Sequence, residues 1–293
     1  MSLFGKNNTP LSEPYRLQRH IKQALAAKVP SGLDVEIAYQ IVKRVFNPRV
    51  AGAQNIPKEP CLFVGNHSLF ALDGAIIRPI FLKELQRFPR AMGDKFLFSI
   101  QRVADILVKH GVVMGHPEVC SALMDDRQDL LLFPGGAYES VKPKSKLYEL
   151  QWKERYGFVK LAATHGYTIM PFGLVGPDDF YGHLTEGQDL PDSALGKLLT
   201  HIGLLNDDTR SDIVPPIPIG SLGTPLPKPQ RCYLGFGKPI NLSQHKGKAL
   251  SKKTLQSVRT QVAQQIDTQL AELLLTREQD KGKDSLLRRL LTL

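Results

Sequence analysis

The stretch Val64-Gly65-Asn66-His67-Ser68-Leu69-Phe70-Ala71-Leu72-Asp73 opens on the end of an apolar run, Cys61-Leu62-Phe63-Val64, and closes on the start of a helical pattern. An apolar run without polar alternation reads as a strand buried on both faces. That strand delivers Asn66 and His67 to a turn. In parallel α/β sheets, ligands bind outside the carboxyl ends of the strands. An imidazole there suits acid–base work, because its unperturbed pKa is about 6.5. Asp73 is the nearest acid on the C-terminal side and can hold one ring nitrogen, leaving the other for a substrate proton. A lone His with an Asp is more often a core histidine bonded to a carbonyl, so the pair needs support from the rest of the chain.

Working outward, short apolar strands alternate with helical patterns. Strands are expected at 61–64, 111–114, 130–133, 168–172 and 232–236, and helices at 71–87, 97–110, 116–125 and 152–166. This rhythm predicts an α/β fold with a central, largely parallel sheet flanked by helices. Before it, residues 14–29 and 34–46 form two basic amphipathic patterns that lie on a membrane or pack on the core. After it, Leu255, Val258, Val262, Ile266, Leu270 and Leu273 recur at steps of 3 or 4 and mark a long amphipathic helix. The expected organisation is an N-terminal amphipathic helical segment (1–46), one α/β domain (47–278) and a basic tail (279–293). The Pro- and Gly-rich stretch within 206–230 reads as an ordered loop over the site.

Composition narrows the partners. Lys and Arg outnumber Asp and Glu by 38 to 28, a net charge of +10, which favours an anionic partner. No helix-turn-helix, zinc or aromatic-basic motif supports nucleic acid. The three cysteines are far apart and form no metal pair, and Asp178, Asp179 and His183 match no strong metal spacing, so no metal is expected. The N-terminus shows no secretory signal, and no run of 18 apolar residues occurs. The expectation is a peripheral protein on the cytoplasmic face of an anionic membrane.

A second turn at a strand end follows at Phe133-Pro134-Gly135-Gly136-Ala137-Tyr138-Glu139-Ser140. Its glycines let backbone approach a ligand, and free N–H groups there can face an oxyanion. A third strand, Ile169-Met170-Pro171-Phe172, runs into a proline. In this order the segments NHSLFALD (66–73), GVVMG (111–115), FPGGAYES (133–140) and IMPF (169–172) resemble the glycerolipid acyltransferase superfamily over roughly residues 47–240. The block YELQWKERYGF, with GTPLPKP (223–229) and GKPI (237–240), is similar to its monoacylglycerol/diacylglycerol acyltransferase-like branch, which includes phytyl ester synthases.

The resemblance implies transfer of a fatty acyl group from acyl-CoA or acyl carrier protein to a lipid hydroxyl, with no bound cofactor. His67 would be the general base and Asp73 its partner. Asn66, Phe133, Pro134, Gly135, Gly136, Glu139 and Pro171 would line the substrate, with Glu139 orienting the loop or bonding the acceptor. Lys142, Lys144, Lys153 and Arg155 would meet donor phosphates. Trp152 reads as core. Two departures stand out. Five residues, not four, separate His67 from Asp73. Gly135 and Tyr138 replace the Glu and Arg of phosphate-handling relatives, which favours an uncharged acceptor over lysophosphatidate. A thioester or lipid hydrolase, and a non-catalytic lipid-binding protein, are the competing readings.

Overall fold

A computed structural model describes residues 14–185 and 216–292. In chain order the elements are α1 (Pro14–Ala26), α2 (Leu33–Ile41), β1 (Arg49–Ala51), β2 (Cys61–Gly65), α3 (Asp73–Lys83), β3 (Arg90–Gly93), α4 (Gln101–Lys109), β4 (Val112–Met114), α5 (Pro117–Asp125), β5 (Leu130–Leu132), α6 (Gly136–Glu139), α7 (Gly157–His165), β6 (Thr168–Val175), β7 (Gly182–Thr185), β8 (Ile217–Ile219), β9 (Tyr233–Phe236), β10 (Ile240–Asn241), α8 (Lys252–Asp280) and α9 (Leu286–Leu291). The main sheet has eight strands in the order β1-β9-β6-β2-β5-β3-β4, with β10 also on β6. The five strands from β6 to β4 run parallel, and β9 and β10 pair antiparallel with β6. The α/β architecture with a largely parallel sheet is therefore as expected.

Alternation along the central strands feeds two cores. On β2, Leu62 and Val64 enter one core, and Cys61 and Phe63 the other. The first core takes α1, α5, α7 and α8, and the second takes α3. The longer helices on the connections that leave the adjacent strands β2 and β5, α3 and α7, thus pack on opposite faces. By the rule for open α/β sheets, that divergence marks the crevice expected at their carboxyl ends as the place where a ligand binds.

The long C-terminal helix buries Leu255, Val262, Ile266, Leu270 and Leu273, as their spacing predicts. Ser251 caps it by accepting from Thr254 N–H at 3.1 Å. Gly173 and Gly235, paired across β6 and β9, let it lie close. A Cβ at Gly173 would stand 3.2 Å from the Leu270 backbone nitrogen.

Three expectations shift. The helix begins at Gly157 rather than Trp152, because residues 152–156 form a turn with Lys153 at φ +51°. The strand expected over 168–172 runs on to Val175. Pro171 directs its carbonyl to Gly237 N–H at 2.9 Å, on the side where β6 changes partner from β10 to β9. The missing proline N–H falls in that gap, so the sheet tolerates it. Within the Pro-rich loop, residues 206–215 lie outside the described residues; beyond them β8 pairs with β7.

Candidate active site

β2 pairs directly with β5, so their carboxyl ends lie side by side. This brings His67 and Phe133 face to face, with ring centroids 4.4 Å apart and planes 3° from parallel. Asn66 fixes the direction of the chain. Its Nδ2 donates to Leu174 O at 3.0 Å, and its Oδ1 accepts from Leu174 N–H at 2.8 Å. Asn66 is buried and spends its amide on β6, so it shapes the turn rather than meeting a ligand.

After His67 the chain makes a tight turn over Leu69–Ala71, with Phe70 and Ala71 both at φ +57°. These two left-handed residues take up the additional residue before Asp73. The carboxylate reaches the ring regardless: His67 Nδ1 lies 2.6 Å from Asp73 Oδ2. Ser68 N–H donates to the same oxygen at 2.6 Å, and Asp73 N–H donates back to Ser68 Oγ at 2.9 Å. Asp73 also opens α3, where the helix dipole favours a negative charge.

A carboxylate only accepts, so Nδ1 carries the proton and Nε2 presents its lone pair. Among the described residues Nε2 has no hydrogen-bond partner, and the side chain keeps 12% exposure. Burial works to lower the imidazole pKa. The charge and hydrogen bond of Asp73, helped by Glu139, outweigh it against Lys142, and the net shift is upward.

The second turn is held from outside. Arg155 Nη1 donates to Pro134 O and to Gly135 O, each at 2.8 Å. Pro134 and Arg155, with Leu132, Tyr156, Gly157 and Phe158, line a cavity of about 460 Å³ beside the turn. Gly136 sits at φ +52°, a conformation that favours glycine. Gly135 has a different reason: a Cβ there would fall 1.9 Å from Glu139 Oε2. The first glycine makes room for Glu139.

Glu139 is fully buried, and its Oε1 accepts from His67 N–H at 3.0 Å. Burial pushes its carboxyl up to about 7, with Lys142, His67 N–H and the His67 charge pulling the other way.

The basic residues separate. Lys142 is buried; its Nζ donates to His67 O at 2.7 Å and pairs with Asp178 Oδ2 at 2.8 Å. It cannot meet a donor phosphate, and that expectation is corrected. Lys144, Lys153 and Arg155 are exposed, with the Lys153 ammonium 3.8 Å from the Tyr138 ring centroid. Pro171 is likewise buried, paired with Val64 within the sheet, and Trp152 is core.

Sequence reasoning missed Asp178 as part of the site. It accepts from Leu69 N–H at 2.9 Å and Tyr148 N–H at 3.1 Å, besides its pair with Lys142. The stretch GPDDFY had shown only acids without a metal spacing.

An acyltransferase-type arrangement of this kind, a His–Asp pair beside a glycine turn on a parallel sheet, fits the sequence comparisons. The diacylglycerol acyltransferase family model matches residues 57–206, and the chain belongs to that family. Phytyl ester synthase 1, chloroplastic, of Arabidopsis thaliana is 31% identical over 79% of this chain and 35% of its own length. Diacylglycerol O-acyltransferase 2 of Dictyostelium discoideum is 27% identical over 51% of this chain and 45% of its own. The chain thus spans about a third of the phytyl ester synthase. The crystal structure of the 1-acyl-sn-glycerophosphate acyltransferase PlsC from Thermotoga maritima aligns over 88% of both chains, with 12% identity and a TM-score of 0.46.

Proposed function

We propose that the chain transfers a fatty acyl group from a thioester to the hydroxyl of an uncharged lipid, with His67 as general base. The observation that carries this reading is the 2.6 Å His67–Asp73 pair, which leaves Nε2 without a hydrogen-bond partner among the described residues, its ring stacked on Phe133 of the glycine turn. As the acceptor oxygen attacks the thioester carbonyl, Nε2 takes its proton, a contribution of about 10²–10⁴ in rate. The carbonyl carbon bonds the acceptor oxygen, the carbon–sulfur bond breaks, and the imidazolium returns the proton to the departing thiolate, leaving the ester and a free thiol. A thiol of pKa about 8.5 leaves readily, so no enzyme nucleophile is required.

The relatives carry names for esters of phytol and of diacylglycerol, both uncharged alcohols. That agrees with Tyr138 at the position where phosphate-handling relatives place arginine. Exposed Arg155 at the mouth of the cavity suits the phosphates of a coenzyme A or carrier-protein donor.

The acceptor reaches His67 from a lipid surface. Leu33, Ile37, Ile41 and Val45 form an exposed stripe along α2 and the turn after it, where Lys43 and Arg44 add charge. Val45 O accepts from Arg288 of α9, whose Leu286, Leu287 and Leu290 are exposed. Leu291 O accepts from Ser221, next to exposed Leu222 and Leu226. Tyr181 bonds Pro225 O in that loop and packs its edge on Phe70, three residues from His67. An apolar surface with basic residues, continuous with the catalytic turn, fits an anionic bilayer. No helix among the described residues is long and apolar enough to cross it.

The test incubates wild type and His67→Ala, on anionic vesicles, with long-chain acyl-CoA or acyl carrier protein and a panel of acceptors. The panel holds monoacylglycerol, diacylglycerol, a long-chain alcohol and lysophosphatidate. Ester that needs an acceptor and vanishes in His67→Ala supports transfer. Thiol release without acceptor assigns hydrolysis, and no turnover with either donor sinks the catalytic reading.

A further inference from the structure

Three bonds join the segment after the glycine turn to the segment carrying His67. Glu139 Oε1 accepts from His67 N–H at 3.0 Å, Ser140 O accepts from Phe70 N–H at 2.8 Å, and Lys142 Nζ donates to His67 O at 2.7 Å. Two of them are side chains of opposite charge placed on the two peptide groups that flank the His67 Cα. Both are buried. Glu139 Oε2 has no hydrogen-bond partner and lies under Gly135, so the carboxylate has no route to a substrate in the crevice. Lys142 is committed to His67 O and Asp178.

We propose that Glu139 and Lys142 are positioning residues that grip His67 by its two peptide groups, Glu139 at the N–H and Lys142 at the carbonyl, and that neither touches substrate. The proposal rests on His67 being the base. It assigns Gly135 a role in the same device, since any side chain there would evict the Glu139 carboxylate. It also explains why a lysine sits in a hydrophobic interior. Lys142 draws the buried Glu139 carboxyl back toward its charged form against burial, and Asp178 pairs with Lys142 in turn. An aim error of about 1 Å at a base costs about 10²-fold, so holding both peptide groups has a direct return in rate.

The charged groups facing His67 are Asp73 from α3, Glu139 from α6 and Lys142 from the turn after it, with Asp178 behind Lys142. The test uses the full chain and two variants. Lys142→Met removes the grip on the carbonyl; it is expected to lower kcat about tenfold or more with KM within about twofold. Glu139→Gln is isosteric, keeps an acceptor for His67 N–H and removes one negative charge. The His67 ring titration, followed by nitrogen NMR without substrate, is expected to move to lower pH, because Glu139 favours the protonated ring. A rise in KM with kcat held would place Lys142 on the substrate and overturn the proposal. So would an unmoved His67 titration in Glu139→Gln, the arm that decides should Lys142→Met fail to fold. The NMR arm needs no turnover. An inactive wild type therefore sinks the transferase reading alone.

Discussion

The two strand ends that meet at the crevice are built by different means. The end of β2 is gripped from within: Asn66, Asp73, Glu139, Lys142 and Asp178 are all buried and all bond its turn or one another. The end of β5 is held from the rim, by exposed Arg155 on two carbonyls and by Phe133 stacked on His67. Buried charge-assisted bonds are costly to break, whereas an exposed arginine on carbonyls is worth about 1 kcal/mol. On the proposed mechanism, the contrast gives the tighter build to the strand end that carries the base. The strand end proposed to admit the thioester donor is the one held more loosely.

Breaking the inner grip at its carboxylate has the largest expected effect. Asp73→Asn removes the acceptor that sets the ring tautomer, and kcat is expected to fall by about 10²–10⁴. The pH profile gives a second readout. On the proposed mechanism the base is the neutral ring, so wild-type activity is expected to be lost as pH falls through a His67 pKa above the ordinary histidine value. Burial depresses that pKa and Asp73 raises it, so in Asp73→Asn the acid limb of the residual activity moves to lower pH.

Asp178→Ala tests the same side through stability. It strands Lys142 in the interior, and chemical denaturation is expected to show a loss of about 3–5 kcal/mol. The outer side responds less. Arg155→Ala is expected to raise KM for the thioester donor about tenfold while kcat falls less than in Asp73→Asn, and to cost about 1 kcal/mol of stability. Equal losses of kcat in Arg155→Ala and Asp73→Asn would erase the distinction between the two ends. The smallest effect lies in the turn between them. Ala71 is exposed at φ +57°, and Ala71→Gly is expected to raise stability by about 0.5–1 kcal/mol in thermal unfolding, with the His67–Asp73 pair unchanged.

Much of this is legible in the sequence, for definite reasons. β2, β5 and β6 announce themselves because a strand buried on both faces is apolar throughout. The C-terminal helix does so because one face meets the sheet at steps of 3 and 4. The meeting of His67 with the F-P-G-G turn follows from strands whose carboxyl ends share one edge of a parallel sheet. Other features had no local signal. Arg90–Gly93 opens on an arginine and does not look like a strand, yet it pairs with both β4 and β5. Lys142 lies in a run of lysines that reads as solvated, and its partner Asp178 is far along the chain. Burial of a charge is a property of the pair, and no window along one segment contains both members. Gly135 looked like a ligand-facing glycine, whereas the group it accommodates belongs to the protein itself.

The left-handed turn at Phe70 and Ala71 has a consequence for how such chains are recognised. The contact between imidazole and carboxylate survives a change in the number of residues between them, because the backbone stores the surplus in two unusual torsions. In this chain the gap is a matter of route, and the contact is made across five intervening residues. A pattern written with a fixed interval would pass over this chain. A pattern written as a strand end, an imidazole and the first acid of the next helix would find it.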